Sequence, residues 1–223
     1  MVSPEVDLLA HRRTTTSHTI GTAYLRELLG VVPIEAERDE YAFAVVERNV
    51  LGRSSHVGRL RVLRHLRELY ALDPTDTLFR VLRVLDRADR ESLPVLAGML
   101  AVARDELFRA SWPVVAGLSC GERVGPERFA DAVAAEFGST VAPATYARVG
   151  RNVAASWAQT GHLTGSRVKV RGRVVARPAG IAVDRAAMPC RCRAVCDRVR
   201  CRVASRCRRP VERHHRSESG RRW

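Results

Sequence analysis

Apolar side chains recur at helical spacing through most of this chain. Leu25, Leu28 and Leu29 share one face of a helix predicted over about 19–29, with Gly30 as its stop. Tyr41, Ala42, Val45 and Val46 stripe a second, over 35–48. Its opening string, Glu37-Arg38-Asp39-Glu40, reads as a solvated first turn whose acids suit the helix dipole. Leu60, Leu63, Leu66 and Leu69/Tyr70 mark a third over 55–72, with Arg59, Arg61, Arg64 and Arg67 pointing away from the stripe. Asp73-Pro74 ends it, and Thr75 is placed to cap a fourth over 76–88. Ser92 opens an apolar helix over 93–104 that tolerates Pro94 in its first turn, and a further helix over 105–118 contains Trp112 and a kinking Pro113.

The second half changes character. Phe129, Val133 and Phe137 place a helix from Gly125-Pro126 to Phe137, stopped by Gly138. Pro143 starts another that runs to Gln159 and is closed by Gly161. Then the period becomes two: Val168, Val170 and Val174 alternate with basic neighbours around Arg171-Gly172, as in a short hairpin, until Pro178. No earlier stretch alternates in this way. The expected fold class is therefore mainly α. A flexible N-terminus (1–16) leads into a helical bundle (17–118), then a winged helix-turn-helix-like module with a short β-hairpin (122–180), then a Cys/Arg-rich tail (188–223).

Composition narrows the function classes. A chain of 223 residues with 46% hydrophobic content can fill a real core. No apolar run reaches the ~18 residues of a membrane span, and none between Met1 and His18 reads as a signal peptide, so a cytoplasmic protein is expected. The formal charge of +14 is uneven. Residues 1–139 carry 18 arginines against 20 acids, 140–187 carry eight basic side chains and one acid, and 188–223 carry twelve arginines and three acids. The charge that attracts phosphate is therefore local to the second half.

That excess coincides with the winged helix order. On the helix over 143–159, Tyr146, Val149, Val153 and Trp157 form a packing face. Thr145, Arg148, Asn152 and Gln159 fall on the other side, flanked by Arg151. Arginine can bridge two acceptors on guanine, and Asn or Gln can pair with adenine, so this face suits a major groove of double-stranded DNA. Arg167, Lys169, Arg171, Arg173 and Arg177 on the hairpin suit phosphate or minor-groove contact. The competing reading is a core helix beside an edge hairpin whose arginines discourage strand pairing. A winged helix can also dock a protein, so an adaptor and a transcription regulator stay open. Trp157 reads as core rather than a stacking platform, His162 as a donor to the last helical carbonyls, and His56 and His65 as surface residues.

Enzyme signatures are missing. Lys169 is the only lysine and has no phosphate-loop or nuclease-type setting, and neither His-Glu-x-x-His nor Gly-x-Ser-x-Gly occurs. Asp86, Asp89 and Glu91 read as cap and loop residues rather than metal ligands. The expectation is a protein with no catalytic residues, no cofactor and no metal.

Four segments carry a family likeness: Val46-Glu47-Arg48-Asn49-Val50-Leu51, Arg67-Glu68-Leu69-Tyr70, Ala103-Arg104-Asp105 before Leu107, and Arg151-Asn152-Val153-Ala154-Ala155-Ser156-Trp157. Together, over roughly 19–177, they resemble the BrxA-like proteins of BREX phage-exclusion systems. The resemblance implies a small helical, DNA-binding, non-enzymatic protein acting beside other phage-defence proteins. It also implies an ordered C-terminal helix, from which residues 188–223 depart.

Five of the six cysteines lie in that tail, and without a secretory signal a disulfide framework is disfavoured. Cys190, Cys192, Cys196, Cys201, Cys207, His214 and His215 can be read as zinc ligands, but their spacing does not form paired Cys-x-x-Cys knuckles. A basic disordered tail that binds nucleic acid is a second reading. The third is a shifted reading frame in GC-rich DNA, which yields such a mixture of Arg, Cys, Ala, Pro and Ser. On that reading the coding DNA, translated in another frame after about codon 186, encodes an apolar helix. Polar sequence in all frames would overturn it.

Overall fold

The computed structural model describes residues 17–138 and 143–174. The expected lead at 1–16, the end of the module at 175–180 with Arg177, and the tail at 188–223 lie outside the described residues.

Local chemistry sets the helix starts. α1 (Thr22–Val31) and α2 (Arg38–Val46) come first, and α2 begins with a reciprocal capping box between Glu37 and Glu40. α3 (His56–Tyr70) is capped by Ser55, whose Oγ accepts from the Gly58 N–H at 3.1 Å. α4 (Thr77–Ala88) is capped by Asp76 rather than Thr75: Asp76 accepts from Phe79 N–H, while the Thr75 hydroxyl donates to Asp73 at 2.6 Å. α5 (Leu93–Arg104) keeps Pro94 in its first turn.

The stretch expected as one kinked helix is two. α6 (Glu106–Ala110) is capped by the buried Asp105, and α7 (Trp112–Gly117) starts afresh with Pro113 in its first turn. The break falls at Ser111, whose Oγ donates to Phe108 O at 2.5 Å. Pro113 thus opens a helix where it lacks no needed donor, instead of bending one.

The remaining elements are β1 (Arg123–Val124), α8 (Pro126–Phe137), α9 (Pro143–Gln159), β2 (Leu163–Thr164) and β3 (Lys169–Arg171). The antiparallel sheet has the order β1-β3-β2. Arg123 faces Val170 across β1 and β3, and Leu163 faces Arg171 across β2 and β3. Two findings differ from the sequence reading. β1 is an added strand, too short at two residues to show alternation. The hairpin turns at residues 165–168 rather than at Arg171-Gly172. Gly165 supplies the left-handed residue there, with φ +86°, and a Cβ on it would lie 2.4 Å from Val168 O. Helix, strand, two helices and a two-stranded wing is the order of a winged helix-turn-helix. α8 and α9 cross closely at Gly150, where a Cβ would come within 2.3 Å of Pro126 O.

One contiguous core runs from α1 to β2. Leu25, Leu66, Leu69, Leu100 and Phe108 fill the bundle, and Phe129, Val153 and Trp157 continue it. Trp157 stacks on Phe108 at 4.2 Å and donates from Nε1 to Ser111 Oγ at 2.8 Å. The segment before α1 is stitched to α9 as well. Ile20 N–H donates to Ser156 Oγ at 3.2 Å, and Tyr70 OH donates to Ile20 O at 2.6 Å. Gln159 accepts from Thr22 N–H at 3.1 Å and donates to Thr19 Oγ1 at 2.9 Å. Gln159 therefore faces the bundle, and its expected place on the groove side of α9 is corrected. Trp157→Ala is expected to destabilise the fold by about 3–5 kcal/mol, because it empties a ring-sized volume and removes the hydrogen bond that Ser111 Oγ accepts. Urea titration of wild type and variant measures this.

Candidate nucleic-acid interface

α9 turns its N-terminal half outward. Arg148 and Arg151 are exposed, Thr145 and Asn152 are half-buried, and Tyr146, Val149 and Val153 point into the core. The helical period brings the four sequence-predicted positions to one side of α9, because their apolar neighbours must be buried on the other. Beside them lies an open groove of about 600 Å³ between α8 and α9, lined by Ala130, Asp131, Tyr146, Ala147 and Arg151, with Glu127 at its α8 end. Glu127 and Asp131 set two carboxylates opposite Arg151. Sequence reasoning passed over them, since they precede the stretch without acids.

The wing carries the other four positions. Arg167 and Arg173 are exposed, while Lys169 and Arg171 are half-buried. Lys169 Nζ donates to Gly165 O at 2.7 Å and so braces the turn. Arg171 behaves differently. Its Nη1 donates to His162 O at 2.9 Å and to Gly172 O at 2.8 Å, and its main chain bonds to Gly121 and Glu122. Burial lowers its pKa. Arg171 therefore ties the wing base to the segment before β1, while Arg167, Lys169 and Arg173 lie further along the outer surface. Arg123 adds an exposed cation on the neighbouring strand. It was missed because β1 leaves no periodic signal.

Beneath the wing the surroundings are apolar. His162 Nδ1 lies 2.8 Å from Thr160 Oγ1, and its ring stands edge-on to Trp157 and Trp112. Burial, with the Arg171 charge, pushes its pKa down to about 3. The ring is neutral and bonds to a hydroxyl, so the expected donation to helical carbonyls is corrected. Trp157 is core, as read from its spacing. His65 is likewise not a surface residue: it is buried edge-on to His18 at 4.9 Å, and burial followed by the His18 charge lowers its pKa to about 4.

Two of the acidic trio at the end of α4 have partners within the fold. Asp86 is buried against Arg90 at 3.7 Å, where burial raises its pKa, and Asp89 accepts from Ser92 Oγ at 2.6 Å. Among the described residues no group of three His, Cys, Asp or Glu side chains is placed to hold a metal ion. The candidate ligands from Cys190 to His215 lie outside them. No described helix is long and apolar enough to cross a membrane.

The segments that carry the family likeness sit at joints of the fold. Asn49 adopts a left-handed turn (φ +48°) and accepts from Arg53 N–H, Arg104 bonds Asp76 at 2.5 Å, and Ser156-Trp157 docks α9 on the bundle. No protein-family model matches the chain, and no curated protein matches it.

The two buried imidazoles make a pH prediction. Both have folded pKa values below the ~6.5 of an unfolded histidine, so the unfolded chain takes up more protons in between. The stability they contribute is complete above about pH 6.5 and is lost as pH falls toward 4. Melting temperatures across pH 4–7.5 should fall on acidification, and His65→Gln should flatten the fall.

Proposed function

We propose that this protein binds duplex DNA without catalysing a reaction, holding it by shape and phosphate contacts rather than by one strict sequence. One observation carries the reading. In a winged helix order, the outward side of α9 presents Arg148 and Arg151, and the wing that follows adds Arg167, Lys169 and Arg173. Arg148, Arg151, Thr145 and Asn152 enter the major groove, and the wing cations hold the backbone. Arg171 acts indirectly by fixing the wing. The bundle over 17–118 carries 14 arginines against 14 acids, so it adds no net attraction for the duplex.

The setting rests on the sequence resemblance: a cytoplasmic component of a bacterial anti-phage system of the BREX type, acting beside other phage-defence proteins. A rival reading draws on Glu127 and Asp131. Those carboxylates favour a cationic segment of a partner protein in the α8–α9 groove over a phosphate backbone.

Anisotropy titrations with a labelled duplex separate the two. Three wing cations on phosphates predict that log affinity falls with log salt at a slope of about −3. Replacing Arg167, Lys169 and Arg173 by Ala should reduce the slope by about 3 and weaken binding at least tenfold at moderate salt, for random and genomic duplexes alike. Unchanged binding in that variant would sink the proposal. Much tighter binding to a single site would favour a transcription regulator, and no binding at low salt would favour the adaptor.

A further inference from the structure

The wing tip holds an apolar side chain that the fold does not use. Large exposed hydrophobics occur at Val31, Phe43, Val57, Leu60 and Val84 on the bundle, whereas in the described residues from Arg123 onward there is only Val168, at 52% exposure. It lies between Arg167 and Lys169, at the end of the β2–β3 turn.

That turn is held in place rather than loose. Gly165 takes a backbone conformation reserved for glycine, and Lys169 Nζ closes the loop onto Gly165 O. β3 is the central strand, so the tip's continuation is paired on both sides. At the base, Arg171 N–H donates to Glu122 O at 2.8 Å and Gly172 N–H donates to His162 O at 2.9 Å. The result is a braced projection ending in a valine flanked by two cations.

We infer that Val168 is an apolar wedge that enters the DNA minor groove and partly unstacks a base step, while Arg167 and Lys169 neutralise the phosphates lining that groove. The inference rests on the proposed duplex binding and deepens it. Three physical points support it. The minor groove is only about 6 Å wide, so a single small side chain on a narrow turn fits where a helix does not. Its negative potential favours cations on either side of the inserted group. Apolar wedges between base steps kink a duplex by about 20–90°, which suits recognition by deformability rather than base sequence. Flexible pyrimidine–purine steps are then the preferred points of entry, because they unstack most readily.

The experiment uses the full chain and a 30-base-pair duplex labelled at both ends for energy transfer, with 2-aminopurine at a central TA step. Wild-type protein is expected to shorten the end-to-end distance and raise the 2-aminopurine emission. Val168→Ser is expected to abolish both signals and to weaken binding about fivefold to tenfold, keeping the wild-type salt slope. Val168→Phe is expected to strengthen the bend. Val168 is exposed, and equal melting temperatures check that each variant keeps its fold. A duplex bound without bending, and equally by wild type and Val168→Ser, overturns the wedge and leaves the binding proposal standing. Absence of binding at low salt overturns both.

Discussion

Trp157 is the contact on which the rest of the arrangement depends. It is the largest fully buried side chain among the described residues, and it belongs to the helix proposed to face DNA. Its ring stacks on Phe108, its indole N–H is satisfied by Ser111, and His162 closes over its edge. Ser111 is the residue at which α6 gives way to α7. The position of α9 is thus fixed by a break in the bundle's own helices, and the wing, three residues beyond α9, inherits that position. Ser156 and Gln159 add the segment before α1 to the same junction. A helix so anchored at its C-terminal half leaves only its N-terminal half for outside contact.

Charge follows from this packing. Ionisable groups near the junction are the His162 imidazole, the Asp105 carboxylate that accepts from Phe108 N–H, and Arg171, whose guanidinium bonds backbone carbonyls, because an unpaired buried charge is costly. In the module after the bundle, exposed arginines lie on β1, on α8, on α9 and on the wing. Within the bundle, Arg83 is buried yet acceptable, since it donates to Leu29 O and Val32 O at the C-terminal end of α1, where the helix dipole is negative. Arginine abundance therefore divides into two uses: tying off helix ends inside and presenting charge outside. A count of arginines does not separate them.

The helices were legible because their signals are local. Apolar spacing, prolines at helix starts and glycines at their ends placed α5, α8 and α9 at the bounds seen in the structure. What was hidden depends on distant partners. β1 exists because Arg123 and Val124 meet β3, forty-odd residues later. The turn at Gly165 could not be told from Arg171-Gly172 by alternation, since each is a glycine near the same short run of valines and basic residues. His65 looked like a surface residue because nothing in its own helix reveals that His18 covers it. The same limit governs the candidate site. The outward placement of Arg148, Arg151 and Arg167 was legible in the sequence, but the engagement of Arg171 and Gln159, and the carboxylates opposite Arg151, needed the third dimension.

The central place of β3 has an evolutionary consequence. Its neighbours come from either end of the module, β1 from before α8 and β2 from after α9, so the sheet ties both ends together. The turn between Gly165 and Val168 touches neither of those joins. Residues can be gained or lost there without shifting the register on which the core relies. The length of the arm is thereby freed from the folding constraint that governs its root. The framework tolerates changes of length at the tip, so sequence divergence is expected to concentrate there while the root stays fixed.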